Sequence, residues 1–148
     1  MRLLLQRVGR AAVLVDGATV GEIGPGLVVF VGVGHDDGPA TADAFADKVA
    51  DLRIFRDADG KTNRSLIDVG GEALVISQFT LYADTRKGRR PSFLDAAPPD
   101  LGTALYERFA NALAGRGVRV ARGVFGAEMI VELANDGPMT IWLDSAAT

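Results

Sequence analysis

The sequence predicts one α+β domain whose sheet is largely antiparallel or mixed. Its length of 148 residues favours a single domain and suffices to bury a core without disulfide bonds. Many short runs are rich in β-branched and apolar residues, whereas only two segments have the apolar spacing of an amphipathic helix. No repeat, low-complexity tract or linker divides the chain, so we expect residues 1–148 to form one domain.

The first part of the chain predicts three strands. Residues 2–8 and 11–15 are β-rich runs, and Asp16-Gly17 permits the positive φ of a hairpin turn. A second turn at residues 22–26 leads into residues 27–31. That continuous apolar run is typical of a strand buried on both faces.

Two amphipathic segments predict the helices. Turn signals at residues 36–39 precede the first amphipathic segment. Its apolar positions recur at Phe45, Val49 and Leu52, and aspartates occupy the solvent-exposed side. Asp100 is the expected N-cap of the second helix, and Gly115 is its expected stop. The apolar positions of the second helix are Leu101, Leu105, Phe109 and Leu113.

The remaining strands are short. They are predicted at residues 53–55, 73–79, 118–121, 128–134 and 139–143. A long loop over residues 82–99 carries a basic run at residues 86–90. Gly137-Pro138 falls between the last two strands, where a tight turn is expected. On residue type alone, a hairpin with a trans proline is the ordinary interpretation.

Composition excludes several classes of function. The chain has no cysteine, and His35 is its single histidine, so thiolate chemistry and a His-rich metal centre are excluded. No targeting segment or membrane span is visible, and we expect a cytosolic protein. The formal charge of −3 averages two regions, because residues 36–59 hold seven aspartates against three basic residues, whereas residues 86–90 hold four cations. Any RNA contact is therefore expected to be local.

Three common site types find little support. His35 lies in a Gly-His-Asp-Asp loop and no serine sits in a nucleophile elbow, so His35 is read as a surface-loop residue rather than a triad member. Gly32-Val33-Gly34 lacks the third glycine of a dinucleotide fingerprint. Asp57-Ala58-Asp59-Gly60 lacks the rest of a calcium loop and is read as a solvated turn.

Ser77-Gln78-Phe79-Thr80 is the strongest candidate site. It ends an apolar strand with three hydrogen-bonding side chains, a place where substrate polar atoms are commonly bound. Ser77 and Thr80 can equally satisfy backbone groups at the strand end. The basic run at residues 86–90 is likewise either a solvated loop or a phosphate-binding surface.

These motifs make the sequence similar, essentially from end to end, to the D-aminoacyl-tRNA deacylases of the D-tyrosyl-tRNA deacylase type. Ser-Gln-Phe-Thr and Asn-Asp-Gly-Pro-x-Thr are specific in combination, and Met139 stands where the family often has valine. The further resembling segments are Gln6-Arg7-Val8, Gly21-Glu22-Ile23-Gly24, Arg53-Ile54-Phe55, Arg90-Pro91-Ser92-Phe93 and Phe125-Gly126-Ala127-Glu128-Met129.

The resemblance implies a tRNA-editing hydrolase on a β-barrel-like fold. Such enzymes cleave the ester between a D-amino acid and the terminal adenosine of tRNA, remove mischarged glycine, and work as homodimers. For this chain we expect no metal or cofactor. A cis Gly-Pro pair of one subunit reaches into the active site of the other. By this match Gly137 and Pro138 form the chiral filter, and Arg7 orients them.

The same resemblance assigns the pocket. Ser77, Gln78, Phe79 and Thr80 would line the catalytic pocket, while Phe125 and Met129 match positions near the adenosine and aminoacyl ends. Backbone N–H groups around Phe79 and Thr80 are candidate oxyanion donors. No base is evident beside Thr80, so we expect it to position water, with the substrate 2′-hydroxyl assisting.

Two other classes of function stay open at this point. One is a tRNA- or protein-binding module without catalysis, which the intact motifs disfavour. The other is a Ser77- or Thr80-dependent esterase for small molecules.

Overall fold

The computed structural model describes residues 1–147, which form two α-helices and eight strands. The helices are α1 (Pro39–Asp51) and α2 (Pro99–Gly115). The strands are β1 (Arg2–Val15), β2 (Ala18–Ile23), β3 (Gly26–Gly32), β4 (Phe55–Arg56), β5 (Thr62–Arg64), β6 (Glu72–Ser77), β7 (Arg119–Arg122) and β8 (Ile130–Asp144). Two 3-10 turns cover Phe79–Tyr82 and Ser145–Ala147.

Strand β1 organises the main sheet. One of its edges pairs with β3 and then with β2, and the other pairs with β8, all antiparallel. Strand β3 continues the sheet through parallel pairing with β6, and β6 pairs in parallel with β7. Strands β4 and β5 form a separate two-stranded sheet. The prediction of an α+β fold with a mixed sheet and two helices is thereby confirmed.

The sheet curls until its ends approach each other. A Cβ at Gly21 in β2 would lie 2.6 Å from the carbonyl oxygen of Arg122 in β7, so only glycine permits this approach. The two strands at opposite ends of the sheet order are therefore close neighbours. This curvature gives the barrel-like shape that the resemblance implied.

Apolar side chains fill both faces of the curled sheet. Helices α1 and α2 cover one face through fully buried residues such as Ala46, Val49, Phe109 and Leu113. A smaller cluster, which includes Val13, Val28 and Leu74, fills the other face. Strand β3 therefore has core on both sides, as its continuous apolar sequence predicts. No helix within residues 1–147 is long and apolar enough to cross a membrane.

Three sequence-based expectations are corrected. Residues 2–8 and 11–15 belong to one strand, β1, which continues through exposed Gly9 and Arg10 with register shifts against β8. Pro98 is the N-cap of α2, and Asp100 lies within its first turn, where the prolines set the helix start. The apolar run at residues 73–79 is a strand only as far as Ser77.

Gly137-Pro138 is also not a hairpin turn. Residues 130–144 form one strand, in which Asn135 pairs with Val8 and Thr140 pairs with Gln6. Residues 136–139 therefore bulge from β8 opposite a single residue of β1. Within this bulge the Gly137-Pro138 peptide is cis, so the ordinary trans interpretation is wrong.

Candidate active site

The end of β6 forms a short polar turn (residues 77–80), called the catalytic turn here after the role that the resemblance predicts for it. Strand β6 ends at Ser77, and the Gln78 backbone N–H donates to the Val31 carbonyl of β3 at 2.8 Å. The chain then enters the 3-10 turn Phe79–Tyr82. The Gln78 side-chain amide donates to the Thr80 hydroxyl, so the orientation of that hydroxyl is fixed by its neighbour.

The backbone amides of the catalytic turn are available as donors. The first N–H groups of a helical turn have no acceptor inside the turn. The backbone N–H groups of Phe79 and Thr80 donate to no acceptor elsewhere in the part of the chain that the structure describes. Phe79 is 55% exposed. Two adjacent amides at the start of this turn can therefore donate to a bound oxygen atom.

A cavity of about 380 Å³ adjoins the catalytic turn. It brings Ser77, Gln78 and Phe79 together with Phe125 and Met129, which are about fifty residues away in sequence. Thr80 is not among the lining residues and lies one position beyond them. The complete lining is Ile76, Ser77, Gln78, Phe79, Phe125, Gly126, Ala127, Glu128, Met129 and Val131.

The second wall of the cavity is anchored to β6. The Gly123 backbone N–H donates to the Val75 carbonyl at 3.1 Å, and a Cβ at Gly123 would lie 2.7 Å from the Met129 sulfur. The Tyr106 hydroxyl donates to the same carbonyl at 2.9 Å, and the Tyr106 ring packs against Phe125 with centroids 6.1 Å apart. Burial raises the pKa of Tyr106 to about 12, so it stays a hydrogen-bond donor.

Arg7 fixes the bulge in β8. It is 4% exposed, and its Nε donates to the Asp136 carboxylate at 3.0 Å while a terminal nitrogen donates to the Ile54 carbonyl at 2.6 Å. Gly137 has φ +121°, and a Cβ there would lie 2.7 Å from the Arg7 guanidinium. The Asn135 side chain also accepts from the Met139 N–H at 2.9 Å.

The structure does not bring all the expected residues to one place. Gly137 and Pro138 are exposed, and neither lines the cavity beside the catalytic turn of the same chain. Arg7 lies with Gly137 rather than with Ser77 or Phe79. A single chain therefore contains two separate groups of predicted site residues.

The cavity has one ionisable side chain in its lining, Glu128. Glu128 is not among the site residues predicted from the sequence, although it lies between Phe125 and Met129, which are. The Gln78–Thr80 hydrogen bond was not predictable from the sequence either, since spacing does not determine rotamers. Among residues 1–147, no group of three carboxylate or histidine side chains could hold a metal ion.

His35 belongs to a different cavity. Its Nε2 lies 2.8 Å from the Leu94 carbonyl oxygen, and the surrounding cavity of about 270 Å³ is also lined by Tyr82. Burial, followed by the charge of Asp37, raises the pKa of Tyr82 far above its usual range. Neither group lines the cavity beside Ser77, so this geometry gives a serine triad no support.

Known proteins are similar to this chain over nearly its whole length. Residues 4–144 match the family described as D-Tyr-tRNA(Tyr) deacylase. A D-aminoacyl-tRNA deacylase of Thermomicrobium roseum is 63% identical over 146 residues, covering 99% of this chain and 95% of the relative.

Two solved structures are also similar. A c-Myc DNA unwinding element binding protein is 37% identical with a TM-score of 0.92, covering 98% of this chain and 99% of its own. A probable eukaryotic D-amino acid tRNA deacylase is 22% identical with a TM-score of 0.81, covering 96% and 97% of the two chains. At that identity the second similarity concerns the fold alone.

Proposed function

The chain belongs to the D-Tyr-tRNA(Tyr) deacylase family, a family of hydrolases, and from this premise we propose how it acts on its substrate. It hydrolyses the ester that joins a D-amino acid to the terminal adenosine of tRNA, releasing the free D-amino acid and tRNA. The observation that carries this proposal is the single cavity enclosed by Ser77–Phe79 and by Phe125–Met129, the two segments that the resemblance assigns to the reaction.

The catalytic turn supplies the chemistry of ester hydrolysis. A water oxygen attacks the ester carbonyl, the carbonyl oxygen becomes negative, and the N–H groups of Phe79 and Thr80 donate to it. The bond to the ribose 3′-oxygen then breaks, and that oxygen takes up the proton that the attacking water has lost. Loss of one such donor typically costs about 10²–10³ in kcat.

The nucleophile is water rather than the Thr80 hydroxyl. Thr80 is not among the residues that line the cavity, and within residues 1–147 its hydroxyl is bonded to Gln78 rather than to Glu128, the one ionisable side chain of the lining, so no base is placed to take its proton. In this proposal Thr80 positions the water. The 2′-hydroxyl of the substrate assists the proton transfer.

Selection against L-amino acids comes from a second subunit. In a homodimer, Gly137 and Pro138 of the partner subunit enter the cavity and form a wall beside the substrate α-carbon. Their exposure on their own chain and the fixation of the bulge by Arg7 support this arrangement. Such a wall rejects an L-amino acid through a steric clash with its side chain. Glycine has no side chain and is therefore also accepted. Mischarged glycyl-tRNA is therefore a second substrate.

The decisive experiment compares purified protein on D-tyrosyl-, L-tyrosyl- and glycyl-tRNA. We expect hydrolysis of the D-tyrosyl and glycyl esters, with the L-tyrosyl ester spared. Equal rates on both tyrosyl enantiomers would overturn the chiral wall. Affinity for tRNA without turnover would instead indicate a binding module, and cleavage of small esters alone would indicate a general esterase.

The dimer is tested separately by sedimentation equilibrium. We expect a mass of twice 15.6 kDa at assay concentrations. A monomer that still discriminates between enantiomers would show that the wall comes from the same chain.

A further inference from the structure

An exposed surface continues from the catalytic turn onto the loop that follows it. Its apolar members are Phe79, Phe93 and Leu94, which are 55%, 38% and 84% exposed. Its charged members are the exposed cations Lys87, Arg89 and Arg90. We call these six residues the loop surface.

One ring contact holds the loop surface against the catalytic turn, and two further contacts fix the base of the loop. The Phe93 ring meets the Phe79 ring edge-on, with centroids 5.1 Å apart and planes at 74°. Asp84 and Ser92 exchange backbone hydrogen bonds of 2.8 and 2.9 Å, so residues 85–91 project from a closed base. The contact of His35 with the Leu94 carbonyl fixes the returning segment.

Within residues 1–147, the last three cations of the loop have no carboxylate partner. Arg86 is different, because it forms a two-pronged pair with Asp84 at 2.8 and 2.7 Å and lowers the pKa of Asp84 to about 2. Within residues 1–147, Lys87, Arg89 and Arg90 form no ion pair. Three positive charges are therefore available for an external anion.

We propose that the loop surface binds the unpaired 3′ end of tRNA as it enters the cavity. The base that precedes the terminal adenosine stacks on Phe93, and the phosphates of the same strand contact Lys87, Arg89 and Arg90. This inference rests on the proposed function and adds to it the path of the RNA strand outside the cavity.

The combination of groups favours a single strand over other occupants. Exposed rings beside cations are the pattern by which proteins bind unpaired nucleotides, since every base offers a face for stacking. A duplex needs no exposed ring and usually gathers a broader basic surface, whereas this chain carries a formal charge of −3. A protein interface is enriched in arginine but depleted in lysine, so it accounts for fewer of these groups than a single strand, whose phosphates can contact all three cations.

The stacking contact is tested by comparing two substrates of different length. D-Tyrosyl-tRNA contains the preceding nucleotide, and D-tyrosyl-adenosine does not. For Phe93→Ala we expect kcat/KM on the tRNA to fall about 5- to 150-fold more than on the adenosine ester. Phe93→Trp should restore most of the loss, whereas Phe93→Leu should not. Ile67→Ala, at another exposed apolar residue, is the matched control.

The phosphate contacts are tested by salt dependence. The plot of log(kcat/KM) against log[salt] has a negative slope. Removing one cation that neutralises a phosphate of a single strand makes this slope less steep by about 0.7. Arg89→Gln and Arg90→Gln should each show this change with the tRNA substrate. Lys61→Gln, at an exposed lysine outside the loop, should leave the slope unaltered.

The outcomes separate the two proposals. Equal losses on both substrates for Phe93→Ala would assign it a structural role at the catalytic turn and overturn the stacking contact. A changed salt slope with no selective effect of Phe93→Ala would place the loop on the acceptor stem and also overturn the inference. Wild-type protein that hydrolyses neither substrate would refute the proposed function itself.

Discussion

Two charged regions of the molecule differ in whether their charges have partners. On the helical side, Arg108 pairs with Asp43 at 2.6 Å, and Arg116 pairs with Asp47 and Asp51 at 2.7 and 2.8 Å. These pairs join α2 to α1, and the apolar faces of both helices are buried beneath them. On the loop surface, Lys87, Arg89 and Arg90 have no such partners within residues 1–147, and large apolar side chains stay exposed.

This difference shows where the chain keeps its capacity to bind. Three of the seven aspartates in residues 36–59 pair with the two arginines Arg108 and Arg116. The overall sign of the charge therefore says little about the surface beside the catalytic turn. The charges that join α1 to α2 have partners within the chain, whereas the loop cations expected to meet substrate have none within residues 1–147.

The largest expected effect is a loss of stability on truncating a side chain in the core beneath the helices. Phe109 is fully buried between α2 and the sheet, so Phe109→Ala should lower the free energy of unfolding by about 3–5 kcal/mol. Urea denaturation of the variant and of the wild-type protein measures this difference. Phe93→Ala, which truncates an exposed ring, should cost only about 1 kcal/mol in the same assay. Similar costs at the two sites would remove the contrast between buried and exposed aromatics.

The second prediction concerns Arg7, which is both buried and next to the proposed wall. Arg7→Met leaves the Ile54 carbonyl without its donor and releases Asp136, for a stability cost of about 1–3 kcal/mol. A displaced wall should also lower kcat/KM on D-tyrosyl-tRNA by about 10²-fold. Arg10→Met, at an exposed arginine of the same strand, is the control. A variant that loses stability but keeps the wild-type kcat/KM on D-tyrosyl-tRNA would separate Arg7 from the reaction.

A smaller effect is expected at the Thr80 hydroxyl. If it only positions water, Thr80→Val should lower kcat by about 2- to 10-fold, which is the value of one net hydrogen bond. Single-turnover kinetics with D-tyrosyl-tRNA measure the chemical step. Thr103→Val, which removes a helical hydroxyl that donates to the Pro99 carbonyl, is the control. Complete loss of turnover would instead indicate that Thr80 is the nucleophile.

The smallest effect is expected where a surface charge is already paired. The hydrogen bond from Arg108 holds the pKa of Asp43 below its usual value of 3.8. The pair is therefore fully formed above that pH, and its contribution disappears as the pH falls through the lower folded-state pKa. Asp43→Asn should slightly flatten the acid limb of a stability curve and do nothing near neutral pH. High salt should reduce even this difference.

The sequence predicted the elements better than their boundaries. Continuous apolar runs identified β3 and β6, and helical spacing identified α1 and α2, because burial leaves a periodic pattern. Gly9-Arg10 and Gly137-Pro138 contain the residues of turns, yet both lie inside long strands. Pairing along β1 outweighs the local preference at these positions, and no local pattern reports such long-range pairing.

The candidate site, like the fold, was predicted only in part from the sequence. The motifs Ser77–Thr80 and Phe125–Met129 were recognisable by resemblance, and the structure adds that most of them share a cavity. The anchoring of Arg7 to Ile54 depends on segments far apart in sequence, so spacing gave no sign of it. Glu128 was missed because an isolated acidic residue looks like ordinary surface until its neighbours are known.

The pairing of β1 with β8 also constrains when the protein can fold. Residues 2–14 pair with residues 130–144, so this ladder closes over almost the whole chain. Contacts so distant in sequence raise the contact order and slow folding, because the entropy of a long loop is lost before the ladder forms. During synthesis, β1 must wait for β8 to leave the ribosome with one edge unpaired. That edge, with Leu3 and Leu5 beside it, is where a nascent chain would be most open to chaperone binding or aggregation.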